Sequence, residues 1–351
     1  MGEDKYLPKP YSGPTGIVGW WYNVFKHLFK HYHDESFFPH LLLGIVVNLK
    51  VFGFFDIWKL LTGQFSVAVA KEVFWFAFNN ATLSMTYIYA GDWYNDVCDI
   101  YLDARNKPKR PIPAGRVSQS QGLMIALIWV VAGGLYAHIF CGHWTQVFYW
   151  CQCLSSFLYS DTYLPTKHLF RTTAIGRSIS FGGIYFFLDM IIYALLCEFT
   201  GMQFGENLET YVSCGAANAL WYFAFLLLKD MGDVPGDKAG GMRTLPMICG
   251  RYTSHFFFLV LSLMRCIHIY SLLSGFYPDF EGLQYVSLGV DVLLLVYYWV
   301  YALFFMDVDA KDHAKVLRVH WEPPLPVWSF RFSWGHPFKP HYLTKVLSKQ
   351  F

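Results

Sequence analysis

Long apolar runs separated by short polar segments dominate this chain. Runs of about 20 residues, long enough to cross a bilayer as a helix, predict about eight transmembrane helices. Few polar side chains interrupt these runs, so the pattern predicts an all-α multipass helical bundle with no soluble domain between the spans. The predicted spans are 37–57, 67–91, 120–141, 144–163, 174–199, 210–229, 254–276 and 284–306.

The two ends of the chain differ from its middle. Residues 1–36 are polar and include Trp20 and Trp21 beside Lys26, a composition that predicts an interfacial or cytosolic arm. Residues 307–351 are polar and rich in proline and aromatic residues, which predicts a cytosolic tail. Residues 37–306 between them form the predicted transmembrane domain.

Composition and charge support this assignment and exclude some partners. Hydrophobic residues make up 55% of the chain and charged residues 15%, whereas soluble domains carry about 25% charged residues. The net charge of +2 and the absence of basic runs interleaved with aromatics argue against a nucleic-acid partner. The eight cysteines show no C-x-x-C spacing, so neither zinc nor a disulfide framework is indicated.

Basic residues give the bundle an orientation. Lysine and arginine are concentrated in the connections after spans two, four and six, and those after spans three, five and seven contain none. The positive-inside rule then places the basic connections and both termini in the cytosol. The connection after span one also carries lysine and is an exception. We expect a multipass protein of the endomembranes, foremost the endoplasmic reticulum, with its active site facing the cytosol.

The segment NDVCDIYLDARNKPKRPIPAG places several carboxylates at the cytosolic end of span two. At 100° per residue, Asp92, Asn95, Asp96, Asp99 and Asp103 share a stripe about 100° wide on a helix. Carboxylates stacked in this way repel one another and are costly near hydrocarbon unless a cation neutralises them.

The segment KDMGDVPGDKAGGMRTLP after span six repeats this spacing. Asp230, Asp233 and Asp237 stand three and four residues apart, as do the last three aspartates of the first cluster. In both segments an arginine and then a proline follow. The match indicates an internal duplication, with two pseudo-repeated four-helix halves that each contribute one acidic wall. Pro235 and Gly236 predict that the second cluster leaves regular helix midway.

Magnesium is the cation that suits these clusters best. An acidic helix end on its own is commonly a solvated cap, but two clusters with matched spacing on one membrane face argue against that interpretation. Calcium is less suited, because neither segment has the D-x-D-x-D-G loop of an EF-hand. Mg²⁺ takes one or two carboxylates and fills its other positions with water or phosphate oxygens. The two walls therefore predict Mg²⁺ ions that clamp a diphosphate, with lysine and arginine on the outer oxygens.

Together these segments resemble the UbiA-type intramembrane prenyltransferase superfamily. NDVCDIYLD matches its first motif, N-D-x-x-D-x-x-x-D, and DMGDVPGD matches its second motif, D-x-x-D-x-x-x-D. NKPKRPIPAG and RTLP match the segments that follow them, and YLPTK gives Tyr163 and Lys167 in a Y-x-x-x-K arrangement. The resemblance covers about residues 37–306 and implies nine spans, one more than the pattern predicts.

The resemblance implies a site in which an isoprenyl diphosphate of the C15–C20 class ionises at the acidic clusters while its tail lies in an apolar chamber. The implied metal ligands are Asn95, Asp96, Asp99, Asp103, Asp230, Asp233 and Asp237. The implied diphosphate ligands are Asn95, Lys109, Arg110, Lys167, Lys229 and Arg243. The implied catalytic residues are the six aspartates with Tyr163 and Lys167, where Tyr163 bonds the diphosphate or faces the allylic carbon.

Three functions are compatible with these motifs. The first is prenyl transfer to a small, aromatic acceptor, and the second is a membrane terpene cyclase in which the substrate's own double bond captures the cation. FFPHLLLGIVVNL and LYSD are similar to the fungal branch, which includes both activities. The third is a non-catalytic isoprenoid-binding membrane protein, against which the intact acidic motifs argue. We favour transfer because it is commoner in the superfamily.

Overall fold

The computed structural model describes residues 7–30, 67–163, 165, 167–170, 172–201, 203–206 and 208–276, with scattered positions between 288 and 300. Within these residues the chain is helical and contains no β-strand, as predicted. The helices are α1 (Ile17–Lys30), α2 (Val67–Cys98), α3 (Ile100–Asn106), α4 (Gln119–Phe140), α5 (His143–Ser160), α6 (Lys167–Phe170), α7 (Ala174–Thr200), α8 (Leu208–Lys229), α9 (Val234–Ala239), α10 (Leu245–Cys249) and α11 (Arg251–Phe276), with a 3-10 turn at Asp230–Gly232.

Three helices of the described part are long and apolar enough to cross a bilayer by length and composition, namely Gln119–Phe140, Ala174–Phe199 and Leu208–Gly232. They correspond to three of the predicted spans within a few residues. The predicted spans 67–91, 144–163 and 254–276 fall on α2, α5 and α11, which start or stop up to seven residues away. The predicted span 37–57 lies outside the described residues, and the span 284–306 lies largely outside them.

Local side-chain bonds set where the long helices begin. The Ser118 hydroxyl accepts a hydrogen bond from the Gln121 amide at 3.2 Å, and the Gln121 side chain accepts one from the Ser118 amide at 2.9 Å. This capping box starts α4 and stabilises such a helix end by about 1 kcal/mol. Thr173 caps α7 in the same manner through the Gly176 amide, and Gly201 ends that helix with a φ of 66°.

Helix α7 is the centre of the bundle. It packs against α5, α8 and α2, while α8 also packs against α11 and α2 against α4. Small residues let these helices approach closely: a Cβ added at Gly133 would lie 2.0 Å from the Tyr149 hydroxyl and 2.3 Å from that of Thr86. Close approach at glycine is the usual means of packing helices in lipid, where no hydrophobic force drives their association.

A buried polar network joins α7, α8 and α11 in the apolar part of the bundle. The Asn218 amide nitrogen donates to Asp189 Oδ2 at 2.8 Å, and the Arg265 guanidinium donates to Asn218 Oδ1 at 2.9 and 3.1 Å. All three residues are buried. Hydrogen bonding between them offsets the cost of placing charged groups inside a membrane-spanning bundle.

The chain uses one local arrangement twice. The long helix α2 is followed by a break and the short helix α3, and the long helix α8 is followed by a 3-10 turn and the short helix α9. The two short helices pack against each other. This repetition agrees with the predicted pseudo-repeat of two halves, and it brings the ends of two distant helices together at one end of the bundle, here called the acidic end.

Candidate active site

The first acidic motif lies across the junction of α2 and α3. Asp99 separates the two helices, with φ −97° and ψ 12°, so the single continuous helix assumed for the predicted stripe is interrupted there. The helical hydrogen bonds nevertheless continue, because the Asp99 amide donates to the Asn95 carbonyl at 2.8 Å and the Asp103 amide to the Asp99 carbonyl at 2.7 Å. Asp96, Asp99 and Asp103 therefore share one face, and all three are buried.

Arg110 neutralises two carboxylates of this face. It lies in the basic loop, defined here as residues 107–117, which folds back over α3. Its guanidinium contacts Asp96 and donates to Asp103 Oδ2 at 2.8 Å. Asn95 completes the cluster by donating to Asp99 Oδ2 at 2.8 Å. Charge-assisted bonds of this kind are the strong ones in proteins, so the basic loop is held on the first motif.

The second acidic motif leaves regular helix midway, as predicted. Asp230 begins the 3-10 turn, Asp233 caps α9, and Pro235 lies in the first turn of α9. Asp230 and Asp237 are buried and Asp233 is half-buried. The Asp233 and Asp237 amides donate to the carbonyls of Asp230 and Asp233 at 3.1 and 2.9 Å, so the backbone keeps these aspartates together.

The joint between α3 and α9 brings the two motifs together. The Lys107 ammonium lies 2.8 Å from Asp233 Oδ2 and 3.9 Å from Asp103 Oδ1, and so bridges one carboxylate of each motif. The Asn106 side chain donates to the Asp233 carbonyl at 3.1 Å. A Cβ added at Gly236 would lie 2.4 Å from the Asn106 side chain, which explains why the closest point of this joint is a glycine.

Two further basic side chains lie on the inner side of the second motif. The Arg177 guanidinium, from α7, donates to both carboxylate oxygens of Asp230 at 3.3 and 3.5 Å. It also lies over the Tyr159 ring, 4.5 Å from its centroid. Lys229 donates to the Tyr159 hydroxyl at 3.2 Å and lies 4.9 Å from the Phe181 ring centroid. Positive charge and aromatic faces therefore meet next to the acidic residues.

The pKa values of Asp233 and Asp237 in the second motif are shifted in opposite directions. Burial works to raise the pKa of Asp233, but Lys107 and, more weakly, Lys229 and Arg177 outweigh it and lower that pKa. Burial and the nearby Asp230 carboxylate raise the pKa of Asp237 to about 7, which Arg177 offsets only in part. Oδ2 of Asp237 is buried without a hydrogen-bond partner. A carboxylate oxygen in this situation is suited to a cation.

These side chains offer the donor chemistry of Mg²⁺ without a preformed cage. All candidate ligands are carboxylate or amide oxygens, which Mg²⁺ prefers. Among the described residues no three His, Cys, Asp or Glu side chains are grouped closely enough to hold a metal ion, and lysine or arginine contacts four of the six aspartates. A metal that replaced these basic groups would find hard ligands from both motifs.

Three predicted site residues, Tyr163, Lys109 and Arg243, lie at the edge of the described site, and for a fourth, Lys167, the structure describes only the backbone. Tyr163 is 67% exposed, and its hydroxyl accepts a hydrogen bond from Gln119 at 3.2 Å. Helix α5 ends at Ser160 and α6 begins at Lys167, so Tyr163 and Lys167 do not share a face of one continuous helix, as Pro165 between them suggested. The side chain of Lys167 lies outside the described part. Lys109 and Arg243 are exposed at the acidic end.

Arg177, Lys107 and Tyr159 are site residues that the sequence analysis did not nominate. In the sequence Arg177 is one of the basic residues that follow span four and indicate the orientation of the bundle. Its position inside the first turn of an apolar helix was the available signal, since a charged residue within a membrane span is commonly functional. Lys107 belongs to the matched basic segment, but only the fold shows that it reaches the second motif.

A comparison with known protein families explains this arrangement. The profile of the UbiA prenyltransferase family matches residues 57–321, which include both acidic motifs and the joint between them. The chain belongs to the UbiA prenyltransferase family. The resemblance predicted from the motifs is thereby confirmed, as is the enzyme class, and the non-catalytic alternative is not retained.

Relatives and solved structures of UbiA proteins agree with this placement. Digeranylgeranylglyceryl phosphate synthase from Methanoculleus marisnigri is 33% identical over 212 residues, 59% of this chain and 67% of the relative. The enzyme of the same name from Methanobrevibacter smithii is 28% identical over 244 residues, 65% of this chain and 76% of the relative.

Two solved structures share the fold of this UbiA protein. A UbiA homologue from Aeropyrum pernix superposes with a TM-score of 0.54 at 14% identity, covering 86% of this chain and 96% of the homologue. A structure of digeranylgeranylglyceryl phosphate synthase superposes with a TM-score of 0.53 at 17% identity, covering 93% of this chain and 99% of that one. The all-helical membrane architecture is therefore that of the UbiA fold.

Proposed function

We propose that this UbiA protein ionises an isoprenyl diphosphate of the C15–C20 class and transfers its prenyl group to a small aromatic acceptor. The observation that carries the proposal is the joint between the motifs, where Lys107 spans Asp103 at 3.9 Å and Asp233 at 2.8 Å. Carboxylates from both motifs lie within reach of one small ligand. A diphosphate bound there contacts ligands from both halves of the bundle.

We assign Mg²⁺ as the metal and the oxygens of Asn95 and the six aspartates as its candidate ligands. The fit rests on their oxygen chemistry and on the unpartnered buried Oδ2 of Asp237. When bound, Mg²⁺ neutralises the diphosphate and makes it a better leaving group. The aspartates hold this charge at the end of an apolar bundle, where water competes weakly for it.

The basic side chains change partners in this proposal. In the structure Arg110 bonds Asp96 and Asp103, Lys107 bonds Asp233, and Arg177 bonds Asp230. Phosphate oxygens are equally good acceptors for guanidinium and ammonium groups. If the carboxylates held Mg²⁺, these basic groups would be available to contact the diphosphate oxygens. Lys109, Lys167, Lys229 and Arg243 stay predicted as further contacts, and Tyr163 as a contact to the diphosphate or the allylic carbon.

An aromatic row continues from the basic groups into the bundle. Tyr159 and Phe181 lie 5.2 Å apart between ring centroids, as do Phe181 and Tyr185, and Tyr185 is stacked on Tyr222. When the allylic C–O bond breaks, its electron pair leaves with the diphosphate and a carbocation remains. Each aromatic face stabilises such a cation by about 0.5–2 kcal/mol. The acceptor carbon then forms the new C–C bond and loses a proton.

We further propose that the acidic end faces the cytosol and that the protein resides in the endoplasmic reticulum. The orientation is supported by the distribution of lysine and arginine between the connections, and the endoplasmic reticulum stays a prediction. Labelling of single cysteines in sealed vesicles tests the orientation at residues 104–116 and 238–251. Labelling of either segment only from the lumenal side would refute it.

The activity is tested by giving the purified protein in nanodiscs C10, C15 and C20 diphosphates with Mg²⁺, with and without a panel of aromatic acceptors. We expect prenylated acceptor to form with a C15 or C20 donor, and little hydrocarbon product without an acceptor. A cyclic hydrocarbon or terpene alcohol formed without any acceptor would instead assign the cyclase activity, the alternative that the aromatic row also suits. Consumption of no diphosphate would refute the proposal.

A further inference from the structure

The described N-terminal residues are tied to the basic loop that carries Arg110. The Lys9 amide donates to the Pro113 carbonyl at 2.9 Å, and the Ser12 amide donates to the Gly115 carbonyl at 2.9 Å. The Ser12 hydroxyl adds a bond of 3.2 Å to the same carbonyl. Residues 9–12, here called the strap, therefore run alongside the second half of the basic loop.

The strap and the basic loop are in close contact at Gly115, where there is no space for a side chain. Gly115 has a φ of +72°, and a Cβ added there would lie 2.2 Å from the Pro10 carbonyl oxygen and 3.1 Å from that of Lys9. Both atoms belong to the backbone and cannot rotate away as a side-chain end could. The close approach is therefore a fixed feature of this contact.

Helix α1 anchors the strap on the bundle. Asn23 is buried and donates to the Arg116 carbonyl and to Gln121 Oε1, both at 3.1 Å. Val24 and Leu28 are buried in a cluster shared with the basic loop, α2 and α4. The further buried members of this cluster are Tyr89, Trp93, Val97, Ile112, Val117, Ile125 and Ala126. The cluster removes apolar surface from both elements, so α1 and the loop hold one another in place.

Backbone hydrogen bonds within the basic loop connect the residues that contact the strap to Arg110. The Ala114 amide donates to the Arg110 carbonyl at 2.9 Å, and the Arg116 amide to the Pro111 carbonyl at 2.9 Å. Residues 110–116 thus form one compact turn. The guanidinium at one side of the turn contacts Asp96 and Asp103, and the carbonyls at the other side receive the strap.

We propose that the N-terminal arm, residues 7–30, is a positioning element that sets Arg110 for the diphosphate. The inference rests on the proposed function, because it needs Arg110 to act on that ligand. It assigns the arm a role in the reaction through its hydrogen bonds to the basic loop. Misplacement of a positioned group by about 1 Å can lower the rate about 10²-fold. A displaced strap should therefore weaken the contact between Arg110 and the diphosphate.

A double-mutant cycle tests the inference. The perturbing change is Gly115→Ala, and its control is Gly201→Ala, which has a similar φ of +66° but no atom within 4 Å of the added Cβ. Both substitutions introduce a similar backbone strain, but only Gly115→Ala displaces the strap. The partner change is Arg110→Ala, made alone and together with Gly115→Ala. Binding of inorganic pyrophosphate at saturating Mg²⁺, measured by calorimetry in detergent, is the readout.

We expect Gly115→Ala to weaken pyrophosphate binding about 10-fold or more, the loss of one charge-assisted contact, and Gly201→Ala to leave it within about twofold. In the Arg110→Ala background, Gly115→Ala should have no further effect, because both changes remove the same contact. A purely structural role of the arm would weaken binding in both backgrounds alike.

A milder pair covers the case in which Gly115→Ala yields no folded protein. Ser12→Pro removes the backbone donor to Gly115, whereas Ser12→Ala removes only the hydroxyl and keeps that donor. The first should reproduce the binding loss and the second should not. Equal binding by both, or losses that multiply with Arg110→Ala, would overturn the inference alone. A parent protein that binds no pyrophosphate with Mg²⁺ would overturn the proposed function as well.

Discussion

Arg177 gives the sharpest test of the electrostatics of the site, because it is the buried counter-ion of Asp230. Arg177→Met keeps most of the side-chain volume but removes the charge that lies 3.3 Å from Asp230 Oδ2. Two unit charges about 4 Å apart attract by about 4 kcal/mol at an effective dielectric constant of 20. Breaking a buried pair by removing one partner costs about 3–5 kcal/mol, so the two estimates agree.

The variant should therefore be less stable without metal and should recover with it. A loss of about 4 kcal/mol corresponds to a fall in Tm of roughly 8–16 °C at 2–4 °C per kcal/mol. Saturating Mg²⁺ supplies positive charge to Asp230 in place of the guanidinium, so most of that difference should disappear. Turnover should stay about 10²–10³-fold below the parent even with Mg²⁺, as for other preorganised electrostatic groups.

The assay is thermal unfolding in detergent, with Mg²⁺ and with EDTA, followed by turnover of a C20 diphosphate. Lys238→Met is the control, because Lys238 adjoins the same motif but is exposed. Its Tm and turnover should stay close to those of the parent. A Tm of Arg177→Met that equals the parent's in EDTA, or that rises no further with Mg²⁺ than the control's, would refute the reasoning.

Three other predictions test the bundle, the joint and the arm. Asn218→Leu removes the residue that links Asp189 to Arg265 and should lower the free energy of unfolding by about 3–5 kcal/mol. The control Ser213→Ala removes an exposed hydrogen bond to α11 and should lower it by under about 1 kcal/mol. Equal losses of stability, measured by thermal unfolding, would contradict this prediction. Gly236→Ala should displace the Asn106 side chain from the Asp233 carbonyl. Turnover should then fall at least tenfold with a small change in Tm, and unchanged turnover would contradict this prediction. A spin label on exposed Val18 should be protected from water-soluble relaxant in nanodiscs while one on Lys26 is not, and equal accessibility would exclude an interfacial α1.

Helical periodicity predicted the first acidic motif well. The stripe calculated for Asp96, Asp99 and Asp103 survives in the structure, although Asp99 interrupts the helix, because the backbone hydrogen bonds on either side of it continue with four-residue spacing. The backbone of the second motif is less regular, as Pro235 and Gly236 predicted. Both outcomes depend on local chemistry, which a sequence displays directly.

Contacts between helices that are distant in sequence could not be predicted from such local patterns. Lys107 reaches Asp233 only because α3 packs on α9, and Arg177 reaches Asp230 only because α7 packs on α8. In the sequence both are simply basic residues near a membrane boundary. Tyr163 and Lys167 stay predicted site residues, but no single helix carries both, since α5 ends at Ser160 and α6 begins at Lys167.

The central claim is that the two acidic motifs form one metal-dependent site that ionises a prenyl diphosphate. The most direct measurement is the release of pyrophosphate from a C20 diphosphate, with acceptors present, by the parent, Asp96→Ala and Asp230→Ala in Mg²⁺ and in EDTA. We predict release by the parent with Mg²⁺ only, and none above background by either folded variant, because each motif supplies ligands that the other cannot replace. Full turnover by either variant, or undiminished release in EDTA, would contradict the account.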